Sequence, residues 1–381
     1  MLMTTEPASQ LTAAEVVARS FCEDESVGAR QREDCSTHVI SQGAEPRWII
    51  MGSPGSSLPV LRSWAPWKTV SRLRWKAVRI AAAVNALPMM PGVRNGVVRV
   101  DTCYWRSNLQ CFPKEWNAVI HVGNPSHTRK AILFLIESGK QVVCAAKIPL
   151  AADASQAIFN EAEMLRVLRR LDYLPRVLYE DRSRGIVAQS WLHGNPVSRG
   201  FTEAHIELLN SLACGDGVSR VCDYRTELAL GFESSDLPFD RSVLARGMDL
   251  LDCDLPLRRF VEHRDFAPWN LKWIRKGVLG LLDWEWAIAD GLPWQDACRF
   301  FYLDDVHFGG AGRVWESINS NHLLASYRSR FDIPPAVLPA LTMRYLLGEL
   351  LMEWRGGNAW LASYAFKQIR FLLDAVSPIQ A

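Results

Sequence analysis

His263, Asp265, Asn270 and, thirteen residues further on, Asp283 are the positions at which this chain could do chemistry. Asp265 and Asn270 stand five apart with Pro268 between them, and residues 271–282 read as a short hairpin turning at Arg275-Lys276-Gly277. Asp283 then sits at the hairpin's end. A loop, a two-stranded return and an acidic residue bring two carboxylates and one amide to a common point. That set suits phosphoryl transfer, in which a base orients a hydroxyl while an amide and a carboxylate hold magnesium against nucleotide phosphates.

The elements that must position these residues are legible on both sides of the loop. Residues 118–122, 131–136 and 141–147 are short apolar runs separated by the turn signals Gly123-Asn124-Pro125-Ser126 and Ser138-Gly139-Lys140, which predicts an antiparallel meander. Residues 154–171 carry helical periodicity through Ile158, Ala162, Leu165 and Leu168. Residues 176–179 and 185–189 add two strands, making five. Beyond Gly200 the pattern is helical over 203–213, 240–251, 294–303, 315–331 and 335–354, with a last helix to 376. Asp240 is a candidate N-cap, Pro334-Pro335 marks a helix start, and 258–262 leads into the loop as a short strand.

The pattern His263-x-Asp265-x-x-x-x-Asn270, a hairpin and then Asp283 resembles the catalytic signature of the protein-kinase-like fold. Trp284-Glu285 replaces the Phe-Gly of protein kinases. With Gly291-Leu292-Pro293-Trp294-Gln295-Asp296 downstream, it resembles the aminoglycoside and choline phosphotransferase family, whose members phosphorylate small-molecule hydroxyls. The resemblance covers residues 117–305 by motif. It implies an α+β, two-lobed kinase-like fold: a small antiparallel-sheet lobe over 113–192 that binds nucleotide and a larger helical catalytic lobe over 193–381, preceded by an N-terminal extension over 1–112.

Carried over by position, the resemblance makes Asp265 the catalytic base, His263 a loop-positioning residue, Asn270 and Asp283 the magnesium ligands, and Asp296 a brace of the catalytic loop. Lys147 becomes the phosphate-pairing lysine at the end of the third strand. Lys130 and Lys140 are rivals that read as turn or strand-edge residues. Glu161 becomes the partner of Lys147, four positions before Leu165, while Glu163 points to solvent. Gly123 falls in the turn over the phosphates, alone where protein kinases carry three glycines. Residues 190–194 resemble the hinge, with backbone near Ser190 and Leu192 meeting adenine. The implied cofactors are ATP and Mg2+, and the implied partner is a small-molecule hydroxyl acceptor: sugar-like, an amino alcohol or aminoglycoside-like. Two other readings stand beside it, a catalytically silent nucleotide-binding regulatory module and a membrane-surface kinase of a lipid-linked acceptor.

At 381 residues the chain is long enough for two or three folding units. A net charge of +2 argues against a dedicated nucleic-acid binder. Nine cysteines without a C-x-x-C pair fit reduced thiols and, with no secretory signal pattern and no long apolar window, a cytoplasmic protein. Residues 1–45 are polar, and partial disorder is expected there. Between residues 46 and 100, however, lie nine basic residues and no Asp or Glu, interleaved with Trp48, Trp64, Trp67 and Trp75. Residues 68–87 read as an amphipathic helix whose apolar stripe is Val70, Leu73, Ala77, Ile80, Val84 and Leu87, beside Arg72, Lys76 and Arg79. The preferred reading packs that stripe on the body of the protein. The alternative lays it on an anionic bilayer with the tryptophans at headgroup depth. The run Gly52-Ser53-Pro54-Gly55-Ser56-Ser57 lacks the ending of a phosphate loop and reads as a linker.

Overall fold

Runs such as Trp48-Ile49-Ile50-Met51 and Ala118-Val119-Ile120 are apolar at every position, which suits strands covered on both faces. The computed structural model describes residues 11–21, 32–64, 69–137, 141–197, 200–309 and 312–377. In it the chain divides into two units, Met1–Pro196 and Val197–Ala381.

The first unit contains, in chain order, α1 (Ala13–Phe21), β1 (Arg32–Gln42), β2 (Glu45–Met51), α2 (Leu58–Ser63), α3 (Thr69–Ala83), β3 (Val93–Asp101), α4 (Cys103–Asn108), β4 (Trp116–Val122), β5 (Lys130–Glu137), β6 (Val142–Pro149), α5 (Ala154–Val167), β7 (Val177–Asp181), β8 (Ile186–Ser190) and the two-residue β9 (Asn195–Pro196). Eight strands form one sheet in the order β3-β1-β2-β4-β5-β6-β8-β7. The expected meander and its two added strands are there, but the sheet has eight strands where the sequence predicts five. β1, β2 and β3 come from the segment read as a separate extension, and β2 pairs directly with β4, from Trp48 opposite His121 to Met51 opposite Ala118. The boundary expected near residue 112 therefore has no counterpart in the sheet.

Residues 32–42, expected to be weakly ordered, pair with β3 from Arg32 opposite Asp101 to Ile40 opposite Val93. Their polarity reflects partial cover: β1 and β3 lie at the end of the sheet, where Val100 is buried in the main core cluster while Cys35, Val39 and Val98 pack against it only partly buried. Residues 1–10 and 22–31 lie outside the described residues.

Period-two alternation sorts the central strands onto two cores. Ile49, Met51, Ala118 and Ile120 join Val16, Val17 and Phe21 of α1 and Trp105 of α4. Trp48, Ile50 and Val119 join Val60 and Leu61 of α2, Trp75, Val78 and Ala82 of α3, and Leu87. The supposed extension thus supplies the cover on both faces. Gly52-Ser53 is no linker: Ser53 N–H donates to Asn117 Oδ1 at 3.2 Å, and Gly52, at φ +86°, leaves no room for a Cβ beside that amide.

α3 reverses the preferred reading of its helical wheel. Trp75, Val78 and Ala82 are buried, whereas Leu73, Ile80 and Val84 of the expected core stripe are 66%, 57% and 68% exposed. Among the stripe's described side chains, only Leu87, beyond the helix, is buried as expected. Trp48 and Trp75 differ from the headgroup reading as well, being core residues 5.0 Å apart, centroid to centroid, whereas Trp64 is 38% exposed. Trp67 lies outside the described residues.

The second unit contains α6 (Glu203–Ser211), β10 (Ala213–Ser219), α7 (Arg225–Glu233), α8 (Arg241–Asp249), β11 (Leu257–Glu262), β12 (Leu271–Arg275), β13 (Val278–Leu281), β14 (Ile288–Gly291), α9 (Gln295–Phe308), α10 (Val314–Asn319), α11 (His322–Arg330), α12 (Leu338–Arg355) and α13 (Ala359–Val376). Asp240 caps α8 by accepting from Ser242 N–H at 2.8 Å. The single helix expected over 315–331 is two, because the Asn321 side chain accepts from Leu323 and Leu324 N–H and starts α11 afresh. β11 pairs with β10 and β14, and β12 with β13 form the predicted hairpin around Gly277 at φ +75°. Among the described residues no helix is long and apolar enough to cross a membrane.

Candidate active site

The loop that follows β11 is held by a carboxylate from another element. Asp296 is the second residue of α9, and its two oxygens accept from the backbone N–H groups of His263 at 2.8 Å and Arg264 at 2.9 Å. The positive end of the helix favours an anion there. Burial, reinforced by Glu262, pushes the Asp296 carboxyl up to about 7, and the two N–H donors pull it the other way. Arg264 sits at φ 65°, a conformation uncommon for a residue with a side chain, and the bond from its N–H to Asp296 holds the bend.

His263 is consumed by the backbone. Its Nδ1 accepts from Asp265 N–H at 3.1 Å, so Nε2 carries the proton and donates to the Leu282 carbonyl at 2.9 Å. The ring lies edge-on to the fully buried Trp284, with centroids 4.5 Å apart. A neutral imidazole with both nitrogens engaged ties the loop to the residue before Asp283 and has no position left from which to move a substrate proton.

The turn Pro268–Asn270 brings Asn270 back on Asp265, whose backbone carbonyl and Oδ2 accept from Asn270 Nδ2 at 2.9 and 2.8 Å. Leu282 N–H donates to the Asn270 carbonyl at 2.8 Å, which extends the hairpin pairing of Leu271 with Leu281 and delivers Asp283 next along the chain. Asp283 itself is at φ 67° and partly buried. Among the described residues no three His, Cys, Asp or Glu side chains cluster as a metal cage.

Sequence reasoning missed the other partner of Asp265. Arg299, one turn along α9 from Asp296, donates to Asp265 Oδ1 at 3.0 Å and to Glu349 of α12 at 2.5 Å. Burial opposes its charge, but Glu349, Tyr345 and Asp265 outweigh burial and hold the guanidinium protonated. The i, i+3 spacing of Asp296 and Arg299 was a usable signal. So was Glu349, a carboxylate set between Leu346-Leu347 and Leu350-Leu351, since a charge on an apolar helix face requires a partner. A second unpredicted pair lies behind the loop, where Arg344 of α12 donates to Glu262 at 2.9 Å and to Gln295 at 2.8 Å.

In the first unit, Lys147 of β6 and Glu161 of α5 form a buried ion pair, 5% and 2% exposed. Gln189 of β8 also reaches Glu161, at 3.4 Å. Glu163 is exposed and faces Arg182 at 3.8 Å. Lys130 opens β5, and Lys140 lies outside the described residues. Gly123 follows β4, where its N–H donates to the Lys130 carbonyl at 2.9 Å and a Cβ would meet that oxygen. The turn is braced by Arg129, which donates to the Gly123 carbonyl and pairs with Glu45 at 2.7 Å. Ser190 closes β8, with its N–H on the Arg176 carbonyl at 2.8 Å, while Leu192 is buried and Trp191 packs edge-on against Phe134.

No protein-family model matches this sequence, and no curated protein is similar to it. Solved structures are. Aminoglycoside phosphotransferase APH(4)-Ia superposes with a TM-score of 0.50 at 14% identity, covering 70% of this chain and 95% of that one. A thermostable mutant of the same enzyme, in ternary complex with ADP and hygromycin B, gives 0.49 at 15% over 70% and 95%. Macrolide 2'-phosphotransferase type I gives 0.46 at 17% over 66% and 90%. The likeness to APH(4)-Ia shows the fold: this chain has the protein-kinase-like fold of that aminoglycoside phosphotransferase.

Proposed function

We propose that this chain is a cytoplasmic phosphotransferase that moves the γ-phosphoryl group of ATP to a hydroxyl of a small molecule: sugar-like, an amino alcohol or aminoglycoside-like. The observation that carries this reading is the loop of the second unit, where Asp296 fixes the backbone of His263 and Arg264 and the side chains of Asp265 and Asn270 meet at 2.8 Å. Asp265, 22% exposed, is the group that would orient the hydroxyl and take its proton.

Mg2+ fits the donor set. Asn270 turns its Nδ2 to Asp265, so its Oδ1 points the other way, and Asp283 adds a carboxylate. Both are hard oxygen donors, and Mg2+ takes one or two such protein ligands alongside phosphate oxygens and water, which is why a three-residue cage is not required. Bound there it would offset the charge of the phosphates. Lys147, oriented by Glu161, would pair with phosphate oxygens, the turn at Gly123 would cover them, and the backbone from Ser190 to Leu192 would meet the adenine. A lipid-linked acceptor is a second reading, favoured by the exposed apolar face of α3. A silent regulatory module is opposed by the joint presence of Lys147, Asp265, Asn270 and Asp283.

The test is ATP consumption by the purified chain across a panel of sugars, amino alcohols and aminoglycosides. At least one acceptor is expected to stimulate ADP release. ATP should also raise the melting temperature more with Mg2+ than without it, and Asp283→Asn should shrink that difference. Binding without turnover on any acceptor would select the silent module, and equal thermal shifts with and without the ion would remove the metal assignment.

A further inference from the structure

α3 is closed on one side and open on the other. Its inner side is fixed at mid-helix and at the C-terminal end. Trp75 Nε1 donates to the Leu61 and Trp64 carbonyls at 3.0 and 2.9 Å, and the C-terminus ends in a left-handed Asn85 at φ 53°. Ala86 N–H bonds back to Ala81 and Asn85 N–H to Ala82, a Schellman closure. The Asn85 side chain then accepts from Ser53 Oγ and Gly55 N–H, pinning the helix end to the loop after β2.

The opposite side carries Leu73, Ala77, Ile80 and Val84, spaced by four, three and four residues and all exposed. At the helical rise this ridge is about 16 Å long. On the helical wheel, Arg72, Lys76 and Arg79 flank the ridge on one side and Arg74 on the other. Met89, just past the helix, is 85% exposed. Scattered exposed apolar residues need no explanation, whereas a continuous ridge bordered by cations does.

We propose that the outer face of α3 docks this protein on an anionic lipid bilayer surface, with the Leu73, Ala77, Ile80 and Val84 ridge entering the headgroup boundary and the flanking Arg and Lys side chains meeting lipid phosphates. Charge selects this occupant. Residues 46–100 hold nine basic side chains and no acidic one, so a second copy of the same face would set cation against cation. An anionic bilayer offers a counter-charge over the whole length of the ridge and an apolar layer beneath it, and long basic side chains reach outward from a shallow helix to the phosphates. Trp48 and Trp75 take no part, since they are core residues.

The experiment is co-sedimentation of the full chain with phosphatidylcholine vesicles, with and without phosphatidylglycerol, at low and high salt. The expected result is pelleting with the anionic vesicles alone, reversed by salt. Leu73→Asp with Ile80→Asp should abolish pelleting, and neutralising Arg74 and Lys76 to Gln should weaken partitioning by about fivefold per side chain. All four positions are exposed, so thermal melts of the variants should match the parent. Absence of pelleting with anionic vesicles at low salt overturns the proposal and leaves an acidic protein partner for this face. Pelleting that neither set of substitutions reduces also overturns it, as does self-association of the parent chain that Leu73→Asp abolishes. None of these outcomes depends on whether the chain transfers phosphate.

Discussion

Lys147 and Glu161 in the first unit face each other as one cation and one anion, whereas in the second unit Arg299 is shared between Asp265 and Glu349. The first pair is nearly dry and has a neutral third member in Gln189. The second cluster carries more carboxylates than cations, and one of them, Asp265, keeps contact with water. Removing either partner of a buried pair strands the charge of the other. A shared arginine can lose one carboxylate and keep the other. That difference suits the roles proposed above, in which Lys147 would be held in one place and Asp265 would exchange partners when a substrate hydroxyl arrives.

The largest effect that sharpens the contrast is on rate. Asp265→Asn keeps the side chain's shape but leaves one acceptor oxygen for the two donors Asn270 and Arg299, and in the proposed reaction it removes the charge that would draw the acceptor proton, a contribution of roughly two to four orders of magnitude. Turnover should collapse while ATP-dependent thermal stabilisation persists. Full activity in this variant would end the assignment of the base.

Next comes stability in the first unit. Lys147→Met leaves Glu161 buried without its cation, and removing one member of such a pair costs about 3–5 kcal/mol. Urea unfolding should register that loss, and Lys147→Met with Glu161→Leu should recover a large part of it, because an apolar pair leaves no charge stranded. A double variant no better than the single one would break the comparison by making the lysine's packing, not its charge, the stabilising feature.

Asp296→Ala follows. It strands the N–H groups of His263 and Arg264 in a buried place, at about 1–3 kcal/mol for each donor left unsatisfied. Because Arg264 depends on that carboxylate for its left-handed bend, kcat should fall more than nucleotide affinity. An affinity loss as large as the rate loss would mean that Asp296 supports more than the loop.

These contrasts also explain what the sequence could and could not reveal. Asp265, Asn270 and the hairpin to Asp283 were legible because loop, turn and return lie within a short stretch whose spacing is set by local geometry. Arg299 and Glu349 stand fifty residues apart on two helices, and only a tertiary contact joins them. α3 misled for a different reason. Its wheel holds two apolar stripes, and the choice of Trp75, Val78 and Ala82 over Leu73, Ile80 and Val84 rests on Trp48 and on the carbonyls that receive the Trp75 indole. β1 was hidden by its polarity, which follows from its place near the end of the sheet.

The smallest expected effect tests the sharing of Arg299 itself. In Glu349→Gln the arginine keeps Asp265, so turnover should change by less than about tenfold, the scale of 1.4 kcal/mol. The pH dependence of stability is the sharper readout. Burial raises the Glu349 carboxyl to about 7, with the nearby Glu353 and Asp265 adding to the rise, because Arg299 alone cannot compensate every carboxylate around it. Between the ordinary carboxyl value of 4.5 and about 7, the folded state therefore binds more protons at this position than the unfolded chain does. Stability falls as pH rises wherever that holds. The parent should lose ground to Glu349→Gln from pH 5 to pH 8, as read by parallel urea titrations. If the parent instead gains on the variant over that range, Glu349 is ionised in the folded state well below neutrality and the pair with Arg299 outweighs burial. The second cluster would then behave like Lys147 with Glu161, and the distinction between the two units would disappear.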